Sequence, residues 1–159
     1  MSFYNVSGRE TSLLDDAFTH YPDAGEQILL EAVRTWFRPH CDAVRRGQTW
    51  RDVLYDAGLR QPSIECFDMT VHALLRASCR PLDTRCRCAT GTTADEASLL
   101  KAIAHLQAAN CSAAVEALSE WLPDSSVGNV LKIMRWFAIN LLDAGITIRA
   151  RERRISYMH

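Results

Sequence analysis

Residues 126–144 read Ser126-Val-Gly-Asn-Val-Leu-Lys-Ile-Met-Arg-Trp-Phe-Ala-Ile-Asn-Leu-Leu-Asp-Ala144, which is the most extensive apolar helical pattern in the chain. One stripe at helical spacing consists of Val130, Met134, Phe137 and Leu141. Ile133 and Trp136 widen this stripe, so that the residues left clearly outward are Lys132, Arg135 and Asp143. A helix that is apolar around most of its circumference belongs in the middle of a bundle. The stretch therefore predicts an all-α fold built around this helix.

Amphipathic patterns outside this stretch predict further helices over about 11–20, 24–38, 49–57, 62–78, 93–110 and 112–122. Several boundaries carry ordinary signals: capping sequences begin at Thr49 and Thr93, Gly58 suits a helix end, and Pro62 suits a first turn. The expected architecture is one domain of about six or seven helices. Two helical halves, 10–78 and 93–145, should pack across a cysteine-containing loop, and the tail 146–159 should be disordered or a short strand.

Composition limits the classes of protein to which the chain can belong. It has 159 residues, 48% hydrophobic and 23% charged, which is ordinary for a globular domain with a proper core. The formal net charge of −1 gives no global electrostatic reason to bind nucleic acid or an anionic membrane. No signal peptide or membrane-spanning stretch is recognisable. We therefore expect a cytoplasmic protein whose six cysteines are reduced.

Three of these cysteines lie in the break between the halves, in Cys79-Arg-Pro-Leu-Asp-Thr-Arg-Cys86-Arg-Cys88. Structural zinc takes four ligands such as Cys and His. His72 is the preferred fourth ligand, because Asp68, His72 and Cys79 are spaced to lie near one face of the preceding helix. His105 and Cys111 are the next candidates. The loop therefore predicts a zinc site at Cys79, Cys86, Cys88 and His72.

The same loop allows two other interpretations. Arginines at positions 80, 85 and 87 would stabilise thiolates, which favours redox-active thiols as well as a metal. Alternatively, Cys79 packs in the core while Cys86 and Cys88 lie in an exposed loop without a chemical role. The sequence leaves these three interpretations open.

A second motif runs from Thr49 to Ile64, with a capping Thr49, Ala57-Gly58 at a turn, and apolar residues at positions 53, 59 and 64. This stretch resembles the helix-turn-helix of bacterial repressors. The resemblance implies that residues 61–68 enter a major groove, with Arg60, Gln61 and Ser63 as candidate DNA contacts. Two carboxylates on the same segment, Glu65 and Asp68, would repel phosphate. A sharp corner between two helices needs the same signals.

Catalytic patterns are missing from the sequence: it has no Gly-rich phosphate loop, nucleophile elbow or zinc-protease His-Glu pair. We assign no catalytic residue, and an acid–base pair of Asp68 and His72 is the one enzyme hypothesis. The sequence favours a bacterial-type interaction or regulatory module that binds another protein or a second copy of itself, without a membrane. Zinc or redox thiols in the 79–88 loop are a further hypothesis. A DNA-binding regulator using residues 49–68 is the alternative.

Overall fold

The computed structural model describes residues 22–40 and 48–149, and all regular structure in these ranges is helical. Its helices are α1 (Ala24–Phe37), α2 (Trp50–Asp56), α3 (Gln61–Ala77), α4 (Ala94–Gln107), α5 (Cys111–Ser119) and α6 (Asp124–Asp143). The predicted all-α class is confirmed. None of the helices in these ranges is long and apolar enough to cross a lipid bilayer. The weak helix predicted over 11–20 and the turn predicted beyond His40 lie outside the described residues.

Helix α6 is packed against several other helices. It runs along α3, which is the most extensive helix contact, and it also packs against α4 and α5. The ring of Phe137 on α6 lies 5.3 Å from that of Phe67 on α3, and both side chains are fully buried. Helices before and after the cysteine loop thus contribute to one hydrophobic core. The expected division into two packed halves is not confirmed.

Most helix boundaries follow the capping signals. Thr49 and Thr93 each form a complete capping box, with Asp52 and Glu96 as the acidic partners. The starts of two helices differ from the sequence prediction. Helix α5 is capped by Asn110, whose Oδ1 accepts the Ala113 N–H at 3.3 Å, and not by Ser112. Helix α6 begins at Asp124, two residues before the predicted start. Pro123, which has an extended backbone conformation, is the N-cap residue of this helix.

One predicted core residue is misplaced. Trp136 is 68% exposed, although it had been placed at the edge of the apolar stripe of α6. Phe137, the next residue, is fully buried. Successive residues on a helix point about 100° apart, so one of two adjacent apolar side chains can face the core while the other faces solvent. Periodicity marks the apolar arc but does not show how much of that arc the neighbouring helices cover.

The first residues of the tail pack onto the bundle without forming a strand. Ile146 and Ile148 are buried, and Gln107 of α4 binds the backbone of both. Its Nε2 donates to Ile146 O at 3.0 Å, and its Oε1 accepts the Ile148 N–H at 2.7 Å. Gly25 of α1 permits the close approach, since an added Cβ would lie 2.9 Å from Thr147 O. Residues 150–159 lie outside the described ranges.

Candidate functional site

A buried ion pair anchors the cysteine loop to the core. Arg34 of α1 is 4% exposed and Glu96 of α4 is completely buried. The guanidinium binds the carboxylate twice, with Nε 2.6 Å from Oε2 and Nη2 3.0 Å from Oε1. Arg34 also donates to two loop carbonyls, from Nη1 to Ala89 O at 3.0 Å and from Nη2 to Gly91 O at 2.7 Å. One buried side chain therefore joins α1, the start of α4 and the loop.

A second carboxylate fixes the other end of the loop. Arg80 forms a two-pronged pair with Asp95, at 2.7 Å to Oδ2 and 2.8 Å to Oδ1. Asp95 also accepts the backbone N–H of Asp83 and the indole N–H of Trp121, each at 2.8 Å. Asp95 and Glu96, which are adjacent in the first turn of α4, thus hold the loop at two places.

The contacts of Asp95 predict an acid-sensitive contribution to stability. Hydrogen bonds from Arg80, against the opposing effect of burial, hold the pKa of Asp95 at about 2, and bonds from Asp83 and Trp121 add to this. A carboxyl whose pKa falls on folding stabilises the fold above its ordinary pKa of 3.8, and this contribution is lost as the pH drops through about 2. We expect Asp95→Asn to remove about 2 kcal/mol at neutral pH.

Urea unfolding at a series of pH values tests this expectation. Between pH 3.8 and about 2 the wild type should lose stability more steeply than Asp95→Asn. Asp143→Asn, at an exposed position on α6, is the matched control. If the free energy of unfolding fell equally with pH in the wild type and in Asp95→Asn, Asp95 would not be the cause of the acid-sensitive stability.

The two thiols nearest each other lie in a tight turn within this anchored loop. The N–H of Ala89 donates to Cys86 O at 2.9 Å and closes the turn. Cys86 Sγ and Cys88 Sγ are 3.4 Å apart, with Cys86 half-buried and Cys88 exposed. Arg38, the C-cap residue of α1, donates to the carbonyl of Thr84 at 2.8 Å. Both flanks of the turn are therefore bonded to α1.

The other predicted metal ligands lie in different surroundings. Cys79 is exposed, and its backbone N–H donates to Trp121 O at 3.3 Å. His72 Nε2 lies 3.4 Å from Asp68 Oδ1 on α3, and its ring contacts that of Trp36 at 5.1 Å. Across residues 22–40 and 48–149, no group of three or more His, Cys, Asp or Glu is placed to hold a metal ion.

The two lower-ranked candidates also stand apart from the thiol turn. His105 is half-buried in the last turn of α4, and Cys111 is exposed at the start of α5. Cys41 lies outside the described residues. Among the predicted ligands, the structure brings together Cys86 and Cys88, and zinc binding to the loop stays a prediction.

The candidate DNA contacts lie at the start of α3, after the corner at Gly58, where φ is +99°. Arg60 is the exposed N-cap residue, and Ser63 is half-buried with its N–H bonded to Arg60 O. Gln61 donates from Nε2 to Glu65 Oε1 at 3.3 Å. A carboxylate therefore lies beside the proposed contacts. DNA binding stays a prediction.

A surface groove between α3 and α6 was not predicted. Its volume is about 480 Å³, and its lining combines the apolar Ala73, Ala77, Val130 and Ile133 with the polar Ser125, Ser126 and Asn129. Met69, which is 57% exposed, and Arg76 also line it from α3. The exposed Trp136 follows Ile133 by three positions, which places the two side chains on neighbouring parts of the same helix surface. The sequence does not indicate this groove, because the exposure of Met69 and Trp136 depends on tertiary packing.

Comparisons of the chain with protein-family models, curated proteins and solved structures found no match. A functional conclusion therefore rests on the residues of this chain. Two features have an arrangement that suggests chemistry or binding: the groove between α3 and α6, and the thiol turn of the anchored loop.

Proposed function

We propose that this protein is an interaction module that binds a helical segment of another protein in the α3–α6 groove. The observation that carries the proposal is the exposure of Met69 and Trp136 beside an apolar groove. Exposed large apolar residues next to a concave surface mark protein-binding sites, and Trp and Met are enriched at protein interfaces. Trp136 is exposed in the chain by itself, so a partner is needed to bury its large side chain.

The lining of the groove indicates the chemistry of that partner. Its lining exposes more apolar than polar surface, and none of the described residues that line it is acidic. Arg76 is exposed at its edge and forms no ion pair with the part of the chain that the structure describes. The length from Met69 to Ala77 is about 12 Å along α3, or roughly two helical turns. An amphipathic helix with an apolar stripe and a carboxylate that reaches Arg76 fits this surface.

Peptide binding tests the proposal. The probe is a fluorescein-labelled amphipathic helical peptide with leucines on one face and glutamates on the other, and the comparison peptide replaces glutamate with lysine. Fluorescence anisotropy should show tighter binding of the acidic peptide. Trp136→Ala should weaken that binding at least about tenfold, since buried Trp anchors dominate interface energetics. Arg76→Glu should reverse the charge preference.

Tyr55→Ala is the matched control, because Tyr55 is 71% exposed on α2 and does not line the groove. Its affinity for the acidic peptide should equal that of the wild type. Equal binding of both peptides, or full affinity in Trp136→Ala, would contradict the proposal. Concentration-dependent dimerisation that Trp136→Ala abolishes would instead identify a second copy of the chain as the occupant.

DNA binding by residues 49–68 is less well supported than the groove. The hydrogen bond from Gln61 to Glu65 occupies a side chain that would have to contact a base edge, and it keeps a carboxylate next to it. The Asp68–His72 pair does not line a pocket as a pair, since the groove is lined by His72 without Asp68. No described contact therefore favours either alternative over a protein interaction.

A further inference from the structure

We propose that Cys86 and Cys88 form a redox site, separate from the groove, at which small-molecule disulfides reversibly oxidise the two thiols to an intramolecular disulfide. The site is the turn closed by the hydrogen bond from the Ala89 N–H to Cys86 O. The Sγ atoms of both cysteines lie 3.4 Å apart across one intervening residue. A disulfide needs about 2.05 Å, so the sulfur atoms have to approach by roughly 1.4 Å. Adjustment of the two side-chain torsions and of the turn covers a movement of this size.

Contacts from the core hold the turn in place. Arg34 binds the carbonyls of Ala89 and Gly91 just after it, and Arg38 binds that of Thr84 just before it. Within the turn, Arg87 donates from Nη2 to Gln48 Oε1 at 2.6 Å. Folding therefore already restricts the two thiols to neighbouring positions, which removes an entropic cost from the reaction. A thiol fixed beside a mixed disulfide reacts faster than one free in solution.

Other described cysteines differ in ways that make them comparison sites. Cys66 on α3 is half-buried and its Sγ lies 3.9 Å from Ile133 O. Burial raises the pKa of the Cys66 thiol, which lowers its thiolate fraction and its reactivity. Cys79 and Cys111 are exposed, but no second sulfur is placed beside them among the described residues. Only the 86–88 turn combines access with a neighbouring thiol in that part of the chain.

The reaction is two successive thiol–disulfide exchanges. The thiolate of Cys88, the more exposed residue, attacks one sulfur of the disulfide RS–SR, and RS⁻ leaves. The Cys86 thiolate then attacks the Cys88 sulfur, and the second RS⁻ leaves as the Cys86–Cys88 bond forms. Two electrons pass from the cysteine sulfurs to RS–SR, and the two thiol protons end on the released RSH molecules.

Glutathione disulfide is the probe for the test. Reduced full-length protein is incubated with it, quenched in acid, alkylated, and analysed by intact mass and peptide mapping. The wild type should lose two hydrogen masses in the peptide containing both cysteines, retain no glutathione there, and recover its mass with dithiothreitol. Cys86→Ser should retain one glutathione at Cys88, because the resolving thiol is absent. Cys79→Ser, the matched control, should behave as the wild type.

Three results would overturn the proposal: glutathione that persists on Cys88 of the wild type, a disulfide that joins Cys86 or Cys88 to a third cysteine, or a metal ion that both thiols hold in the purified protein and that prevents their oxidation. Circular dichroism establishes that each variant is folded. The mass change of the wild-type protein needs no variant for its interpretation. The proposal therefore stays testable if a serine variant does not fold.

Discussion

Replacing Glu96 with alanine is expected to lower the free energy of unfolding by about 3–5 kcal/mol, because it leaves a buried guanidinium without its counter-ion. Arg34 and Glu96 are both buried and are joined by two short hydrogen bonds. The carboxylate also accepts the Thr93 N–H at 2.9 Å, so the variant loses half of the capping box as well. Urea unfolding at neutral pH, followed by circular dichroism, measures the effect.

Arg76→Ala is the control for removal of an exposed charged side chain and should change stability by no more than about 0.5 kcal/mol. Replacing both members of the buried pair with apolar residues, as in Arg34→Met with Glu96→Leu, should recover part of the loss, because no uncompensated charge then remains buried. A loss below about 1 kcal/mol in Glu96→Ala would mean that the pair behaves like a solvent-exposed ion pair.

Phe137→Ala is expected to destabilise the protein by about 3–5 kcal/mol, which is typical when a buried phenylalanine is truncated and a cavity remains. Phe137 is fully buried on α6 and packs against the ring of Phe67 on α3. The adjacent Trp136→Ala should cost no more than about 0.5 kcal/mol, since its side chain is 68% exposed. Thermal and urea unfolding of the two variants measure this contrast.

The two neighbouring positions separate stability from binding. Trp136→Ala should abolish tight peptide binding in a protein that remains stable. Phe137→Ala should instead lower the free energy of unfolding. If Trp136→Ala were as destabilising as Phe137→Ala, the tryptophan would be part of the core and the proposed groove would lose its main anchor.

Local signals allowed much of the helical architecture to be predicted from sequence. The capping boxes at Thr49 and Thr93 fixed two helix starts because both partners lie within one turn. Gly58 and Gly145 follow helices with positive φ angles of 99° and 80°, where a residue without Cβ is favoured. The proximity of Cys86 and Cys88 also has a local origin, since one residue separates them in a tight turn.

The features that define the candidate sites depend on contacts between distant parts of the chain. Glu96 belongs to the capping sequence that begins at Thr93, but its bond to Arg34 joins positions 62 residues apart. Both residues lie on helices that carry other charged side chains, so the sequence does not single them out as a buried pair. The exposure of Trp136 likewise depends on which arc of α6 its neighbours cover. Periodicity records the chemistry of a helix surface but not its tertiary environment.

The anchoring of the cysteine loop has a consequence for the order of folding. The bonds that Arg34 makes to the loop and to Glu96 join residues 55 to 62 positions apart, whereas the capping box of α4 is local. Local structure forms before contacts that close long stretches of chain. Helix α4 can therefore form early, but the thiol turn acquires its bonds to Arg34 and Arg38 only when α1 docks. The two thiols are close for a local reason, but the place of their turn on the folded protein would then be fixed late in folding.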